Sequence, residues 1–225
     1  MIKAILFDMD GVLYDSMPYH VQAWHETILS LGMNSNPVDY YLYEGMTGGA
    51  TIDILFNHTY GHGATDEEKE TIYAQKAGRF VELNRKPCPM PGAKEVLETV
   101  KQMGVKRVLV TGSGQPTLFG NLEKDFPGAF EKDLMVTSFD VKFGKPHPEP
   151  YLLGLEKAGI TAEEALAIEN APLGVQSAVA AGIYTVAVNT GPLPDNVLLE
   201  AGANTIFPSM KALAENIKYL VTKII

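Results

Sequence analysis

Asp8 and Asp10 stand one residue apart where the hydrophobic run "IKAILF" leads into "DMDG". A carboxylate so placed is a candidate nucleophile toward phosphorus. Its negative charge repels a phosphate group, so the attack needs a hard cation such as Mg2+, which takes oxygen ligands and keeps several waters. A second carboxylate one residue on can act as general acid and base. It would protonate the leaving oxygen, then deprotonate the water that hydrolyses an aspartyl-phosphate. Gly11 lets the chain turn away sharply. Three further stretches complete the set. "TGSG" at 111–114 offers Thr111 and the amides of Gly112 and Ser113 to phosphate oxygens, "GKPHPEP" offers the Lys145 ammonium to neutralise the charge that Asp8 and the phosphate share, and "EN" offers Glu169 and Asn170 as further oxygen ligands. These are the parts for phosphoryl transfer with Mg2+.

The elements that would position them follow from the apolar pattern. Runs at 2–7, 107–110, 134–136, 165–168 and 184–188 alternate with helical patterns at 93–103, 117–122, 150–158 and 172–181, the last closing at Gly182. Short buried strands alternating with helices predict an α/β fold, a Rossmann-like parallel sheet flanked by helices on both faces. In such a sheet the ligand crevice lies in the loops beyond the strand C-termini. Each of the chemical stretches follows one of the apolar runs.

From 17 to 84 the alternation fails and only amphipathic helical stretches remain, one opening on Thr65 and Glu68 at capping-box spacing. Pro87, Pro89 and Pro91 stiffen the return. The sequence therefore predicts a catalytic core of residues 1–14 and 89–225, with a small all-helical cap domain at 15–88 inserted after the first strand.

Composition narrows the partners. Eighteen Lys and Arg against 27 Asp and Glu leave a formal charge of −9 over 225 residues. Such a surface repels nucleic acid and anionic membrane, so neither is expected as a partner, and an anionic substrate must meet a local positive site. The single cysteine, Cys88, has no internal disulfide partner, and the start of the chain carries no export pattern. A cytoplasmic location and a monomer or weak dimer are the expectations. His58 and His62 lack a carboxylate or cysteine set at zinc-ligand spacing.

"DMDGVLYDS", "TGSG", "GKPHPEPY" and "ENAPLGVQSAVAAG" resemble, in that order, the motifs of the haloacid dehalogenase superfamily, in its phosphatase and β-phosphoglucomutase-like branch with a helical cap. The resemblance covers nearly the whole chain. It implies that Asp8 is the nucleophile and Asp10 the general acid and base. It also implies Mg2+ held by the Asp8 side chain, the Asp10 carbonyl and the residue at 170, and it places His20 and Lys76 where relatives carry gating and substrate-facing cap residues. His20, four residues before Trp24 on a helical stretch, reads equally well as packing.

Two positions depart from that pattern. Asn170 stands where the branch usually has a second acid; it can still offer an oxygen to Mg2+, and it also reads as the N-cap of the helix beginning near Pro172. In the cap stretch "YEGMTGGATI" no arginine lies near Gly48 to grip a distal sugar phosphate, and Glu44 sits nearby. A Glu44 brought into the site by cap closure would restore the charge missing at Asn170 and would suit a compact, Mg2+-rich anion such as inorganic pyrophosphate. The "ENAPLGV" form with a cap glutamate is similar to a bacterial subgroup that includes inorganic pyrophosphatase activity. Three classes follow: a Mg2+-dependent hydrolase of a small phosphorylated metabolite or pyrophosphate, a phosphosugar mutase, and a non-catalytic binding descendant of the fold.

Overall fold

The computed structural model of the chain describes residues 1–114 and 116–223, at 116–119 in backbone only. The strands are β1 (Ala4–Phe7), β2 (Lys106–Val110), β3 (Met135–Val136), β4 (Ala165–Glu169), β5 (Tyr184–Val188) and β6 (Thr205–Phe207). They form one sheet in the order β3-β2-β1-β4-β5-β6, every pairing parallel. The helices are α1 (Met17–Ser30), α2 (Asp39–Leu42), α3 (Gly48–Tyr60), α4 (Asp66–Leu83), α5 (Ala93–Gln102), α6 (Pro116–Asp125), α7 (Glu149–Ala158), α8 (Pro172–Ala180), α9 (Asp195–Glu200) and α10 (Met210–Lys223).

Every residue of β1 is buried, because the sheet is covered on both sides. Ile5 and Phe7 pack with Leu109, Ile168 and Val186 against α5 and α10, whereas Ala4 and Leu6 pack with Val108, Val110 and Ala167 against α7 and α8. The side-chain period of two thus feeds two cores. The third apolar run begins one residue later than its sequence pattern, since Leu134 ends a 3-10 turn before β3. Half-buried β6 and the helices after β5 add an edge and a flank to the runs read from sequence.

The helical cap is built by α1 to α4 around its own apolar cluster, in which Trp24, Ile28, Tyr40, Ile52, Phe56 and Ile72 take part. Thr65 and Glu68 make both bonds of the capping box that starts α4. The two segments joining cap to core run side by side: Met90 N–H donates to Leu13 O at 2.8 Å and Asp15 N–H to Cys88 O at 2.9 Å. Among the described residues no helix is long and apolar enough to cross a membrane.

Candidate active site

The strand order places the ends of β1, β2 and β4 side by side, with the Lys145 loop reaching them from beyond β3. After β1 the chain makes a tight turn in which Gly11 N–H donates to Tyr14 O at 2.7 Å and Tyr14 N–H to Met9 O at 3.0 Å. Gly11 has φ +80°, and a Cβ there would lie 2.0 Å from Asn170 Nδ2. Conformation and close approach both require glycine.

Lys145 Nζ donates to Asp8 Oδ1 at 2.6 Å, to Glu169 Oε1 at 2.6 Å and to Val110 O at 3.2 Å. An ammonium has three donors, and these bonds use them all. Lys145, Asp8, Glu169, Asn170 and Thr111 are all buried. Burial pushes the Asp8 carboxyl up to about 8; Lys145 opposes the shift while Glu169 and Asp10 add to it. Burial alone would lower Lys145, yet the two carboxylates hold its pKa above the usual lysine range.

Asp10 Oδ1 accepts from Ser16 Oγ at 2.5 Å and faces His20 Nε2 at 3.3 Å. Lys76 Nζ lies 2.7 Å from His20 Nδ1. Because an ammonium only donates, Nδ1 is the acceptor, so the ring proton sits on Nε2 and points at Asp10. Burial first, then the Lys76 charge, lowers the His20 pKa, in keeping with this neutral tautomer. Burial would raise Asp10, but His20 and Ser16 more than offset it and its pKa is lowered. Phe80 stacks on the imidazole at 3.9 Å between ring centroids and keeps it in place.

Glu44 reaches the same place from the cap: its Oε1 accepts from Asn170 Nδ2 at 2.9 Å. Burial and then the Asp8 charge raise its pKa well above the ordinary glutamate value. Asn170 Oδ1, on the other side of that amide, is buried with no hydrogen-bond partner. A buried carbonyl oxygen without a donor is the kind of atom that a hard divalent cation satisfies, so Asn170 Oδ1 fits a Mg2+ ligand. The Asp8 side chain and the Asp10 carbonyl are the partners that the family resemblance implies for it.

The structure gives three of these residues partners inside the protein. Glu169 Oε1 takes Lys145 and the Tyr151 hydroxyl (2.6 Å), Oε2 takes the Asn170 amide at 3.2 Å, and the side chain is fully enclosed. The Ser113 amide donates to Thr111 Oγ1 at 3.0 Å. The N-cap of α8 is Ala171, and the Asn170 side chain faces Glu44 instead of capping the helix. Thr111, Gly112 and Ser113 line a cleft between core and cap together with Asp8, Asp10, His20, Glu44 and Lys76.

Residues 2–182 match the family described as haloacid dehalogenase-like hydrolase. The chain belongs to that family. This haloacid dehalogenase-like hydrolase is 32% identical over 204 residues to the phosphorylated carbohydrates phosphatase of Thermotoga maritima, covering 90% of this chain and 92% of the relative. It is 30% identical over 196 residues to hexitol phosphatase A of Escherichia coli, covering 83% of each. A Bacteroides vulgatus protein provisionally named a β-phosphoglucomutase has a solved structure that superposes with a TM-score of 0.95 and 51% identity, over 98% of this chain and 89% of that one.

Two residues of the site escaped the sequence reading. Tyr151 sits in "PEPYLLGL", where an aromatic reads as core, and its hydroxyl partner Glu169 lies beyond helical spacing. Ser16 follows the first motif closely enough for its "YDS" to have flagged a second polar contact to Asp10.

Proposed function

We propose that the protein is a Mg2+-dependent phosphohydrolase that works through an aspartyl-phosphate at Asp8 and whose preferred substrate is inorganic pyrophosphate. The observation that carries the substrate is the Glu44 carboxylate standing on Asn170 inside the site. Among the described residues lining the cleft, the only ammonium is Lys76, and it is committed to His20. A sugar phosphate with a second, distal phosphate group meets no free cation there. A compact anion rich in bound Mg2+ meets carboxylates suited to it.

When bound, Mg2+ would neutralise the charge between the carboxylates and the phosphate oxygens. Asp8 attacks phosphorus in line, and the bond to the bridging oxygen breaks. Lys145 keeps Asp8 oriented and balances its charge. Asp10, fixed through Oδ1 by Ser16 and the His20 N–H, takes up a solvent proton on its other oxygen as the anionic substrate binds, gives it to the leaving phosphate and, ionised again, takes one from the water that hydrolyses the aspartyl-phosphate. Thr111 lines the cleft where its hydroxyl can donate to a phosphoryl oxygen.

The phosphatase names of the two sequence relatives support hydrolysis of a phosphorylated compound. A mutase reading draws on the name of the Bacteroides vulgatus neighbour, and the missing distal cation speaks against it. The test is phosphate release from pyrophosphate, hexose 1- and 6-phosphates, glycerol phosphates and nucleotides, for the wild type and Glu44→Ala. The expected result is a lead for pyrophosphate that falls at least tenfold in Glu44→Ala, with Asp8→Asn inactive on every substrate. Equal pyrophosphate kinetics with and without Glu44 would remove the specificity argument.

A further inference from the structure

Tyr151 stands in the first turn of α7, wholly buried and packed with Leu6, Val108 and Val110 of the sheet. A ring so enclosed cannot swing aside. Its hydroxyl donates at 2.6 Å to Glu169 Oε1, the same oxygen that accepts from Lys145 Nζ at 2.6 Å. The face of the ring also meets that ammonium, with Nζ 5.4 Å from the ring centroid. Tyr151 therefore touches both members of the ion pair behind the nucleophile, and it is not among the described residues that line the cleft.

Lys145 is shared between two carboxylates. It donates to Asp8 Oδ1 and to Glu169 Oε1 at the same 2.6 Å, so both draw on one ammonium. In a buried place such attraction is strong, and it follows the charge that each oxygen keeps. Asp8 needs its share twice. It must be held in line as it attacks phosphorus. Later, when water displaces it, the bond from phosphorus to the Asp8 oxygen breaks with its electron pair returning to the carboxylate, while the proton of the water passes to Asp10. A Glu169 oxygen with no second donor would keep its full charge for Lys145. The phenol draws part of that charge into a second hydrogen bond, and the ring face fixes where the ammonium rests.

We propose that Tyr151 is a positioning residue whose hydroxyl, by bonding Glu169, keeps the Lys145 ammonium divided between Glu169 and Asp8 instead of captured by Glu169. The proposal rests on the phosphohydrolase reading of this site and holds for any substrate, because Tyr151 acts from behind the nucleophile.

The experiment pairs kinetics with structure. Steady-state phosphate release from pyrophosphate and from glycerol 1-phosphate, with saturating Mg2+, is measured for wild type, Tyr151→Phe and Tyr184→Phe, and crystal structures are solved for wild type and Tyr151→Phe. Tyr151→Phe keeps the ring and leaves Glu169 bonded to Lys145, so no buried charge loses its last partner. Tyr184→Phe removes a hydroxyl that pairs with Thr205 Oγ1 at 2.9 Å, at the start of β5 and away from the strand ends that form the site. Since a hydrogen bond to a charged group is a strong one, kcat of Tyr151→Phe is expected to fall at least tenfold, by one factor on both substrates, with KM within about twofold of wild type. Tyr184→Phe should keep the wild-type kcat. In the Tyr151→Phe structure Lys145 Nζ is expected nearer Glu169, with its contact to Asp8 longer by roughly 0.3 Å or more, beyond the usual range of a charge-assisted bond. A kcat within about threefold of wild type, a loss confined to KM, an equal loss in Tyr184→Phe, or an unmoved Lys145 would each overturn the proposal. A wild type inactive on every phosphorylated compound would instead remove the phosphohydrolase reading, and the hold of Tyr151 on Lys145 would then be judged by the two structures alone.

Discussion

Lys76 is an ammonium with only 3% of its surface exposed, held between His20 and the rings of Trp24 and Phe80 at 5.2 and 5.3 Å. Burial lowers its pKa from 10.5 to about 8, with the Asp10 charge working against the shift. A lysine depressed in the folded state costs stability in full below its folded pKa. The cost fades as pH rises through the window from about 8 to 10.5. At about 1.4 kcal/mol per unit the penalty at neutral pH is on the order of 3 kcal/mol, less what the ring contacts and the His20 bond return. Lys76→Met is therefore expected to be more stable than the wild type by ~1–3 kcal/mol at pH 7. Denaturant midpoints at pH 7 and pH 10 check it: the difference should shrink at the higher pH, and a variant less stable at pH 7 would contradict the account. Activity should fall in the same variant, because nothing then fixes the His20 tautomer that points a proton at Asp10.

At the scale of elements, the approach of α8 to β4 decides whether Lys145 is held. A Cβ on Gly174, in the first turn of α8, would lie 2.2 Å from the carboxyl carbon and both oxygens of Glu169. Glu169 has no room to yield, being wholly buried and bonded to Lys145, Tyr151 and the Asn170 amide. Gly174→Ala is expected to cost ~1–3 kcal/mol through overpacking. With Glu169 displaced, Lys145 loses one of its two carboxylates and kcat should drop at least tenfold. Thermal melts and steady-state rates on one preparation test both; an unchanged kcat would mean that Lys145 needs Asp8 alone. The elements themselves were largely legible. β1 is an unbroken apolar run, and β2, β4 and β5 are apolar over most of their length, because both faces of the sheet are covered; Asp8, Thr111 and Glu169 stand out at the ends of these runs. β6 was not legible, since a half-buried edge strand of three residues gives neither a run nor an alternation. The hold of Glu169 on Lys145 is not legible in the sequence, because a carboxylate at a strand end looks the same whatever cation it faces; Tyr151 and Gly174, which enclose it, are set by the fold.

For the whole molecule the decisive relation is between cap and core, which meet here with the cleft closed down on its polar groups. Glu44 bonds Asn170, His20 faces Asp10, and the backbone of Gly45 lies against Gly112, where a Cβ would come within 2.8 Å of the Gly45 carbonyl oxygen. The neighbouring atom is backbone, so a methyl at 112 cannot be accommodated by a side chain moving aside. It must hold the cap loop off the core. If that obstruction costs the closed state about 1–3 kcal/mol, the closed population and with it kcat/KM fall roughly tenfold to a hundredfold, at 1.4 kcal/mol per decade. Gly112→Ala should leave the sheet core intact, because Gly112 lies in the loop beyond β2 and not in either apolar cluster. The expected outcome is a large loss of kcat/KM with a melting temperature within a degree or so of the wild type, and faster hydrogen exchange at the start of α3. A melting temperature that falls in step with activity would show that cap and core unfold as one unit. In that case cap opening would be too costly to serve as the route by which substrate enters, and a narrower opening at the mouth of the cleft would have to do so.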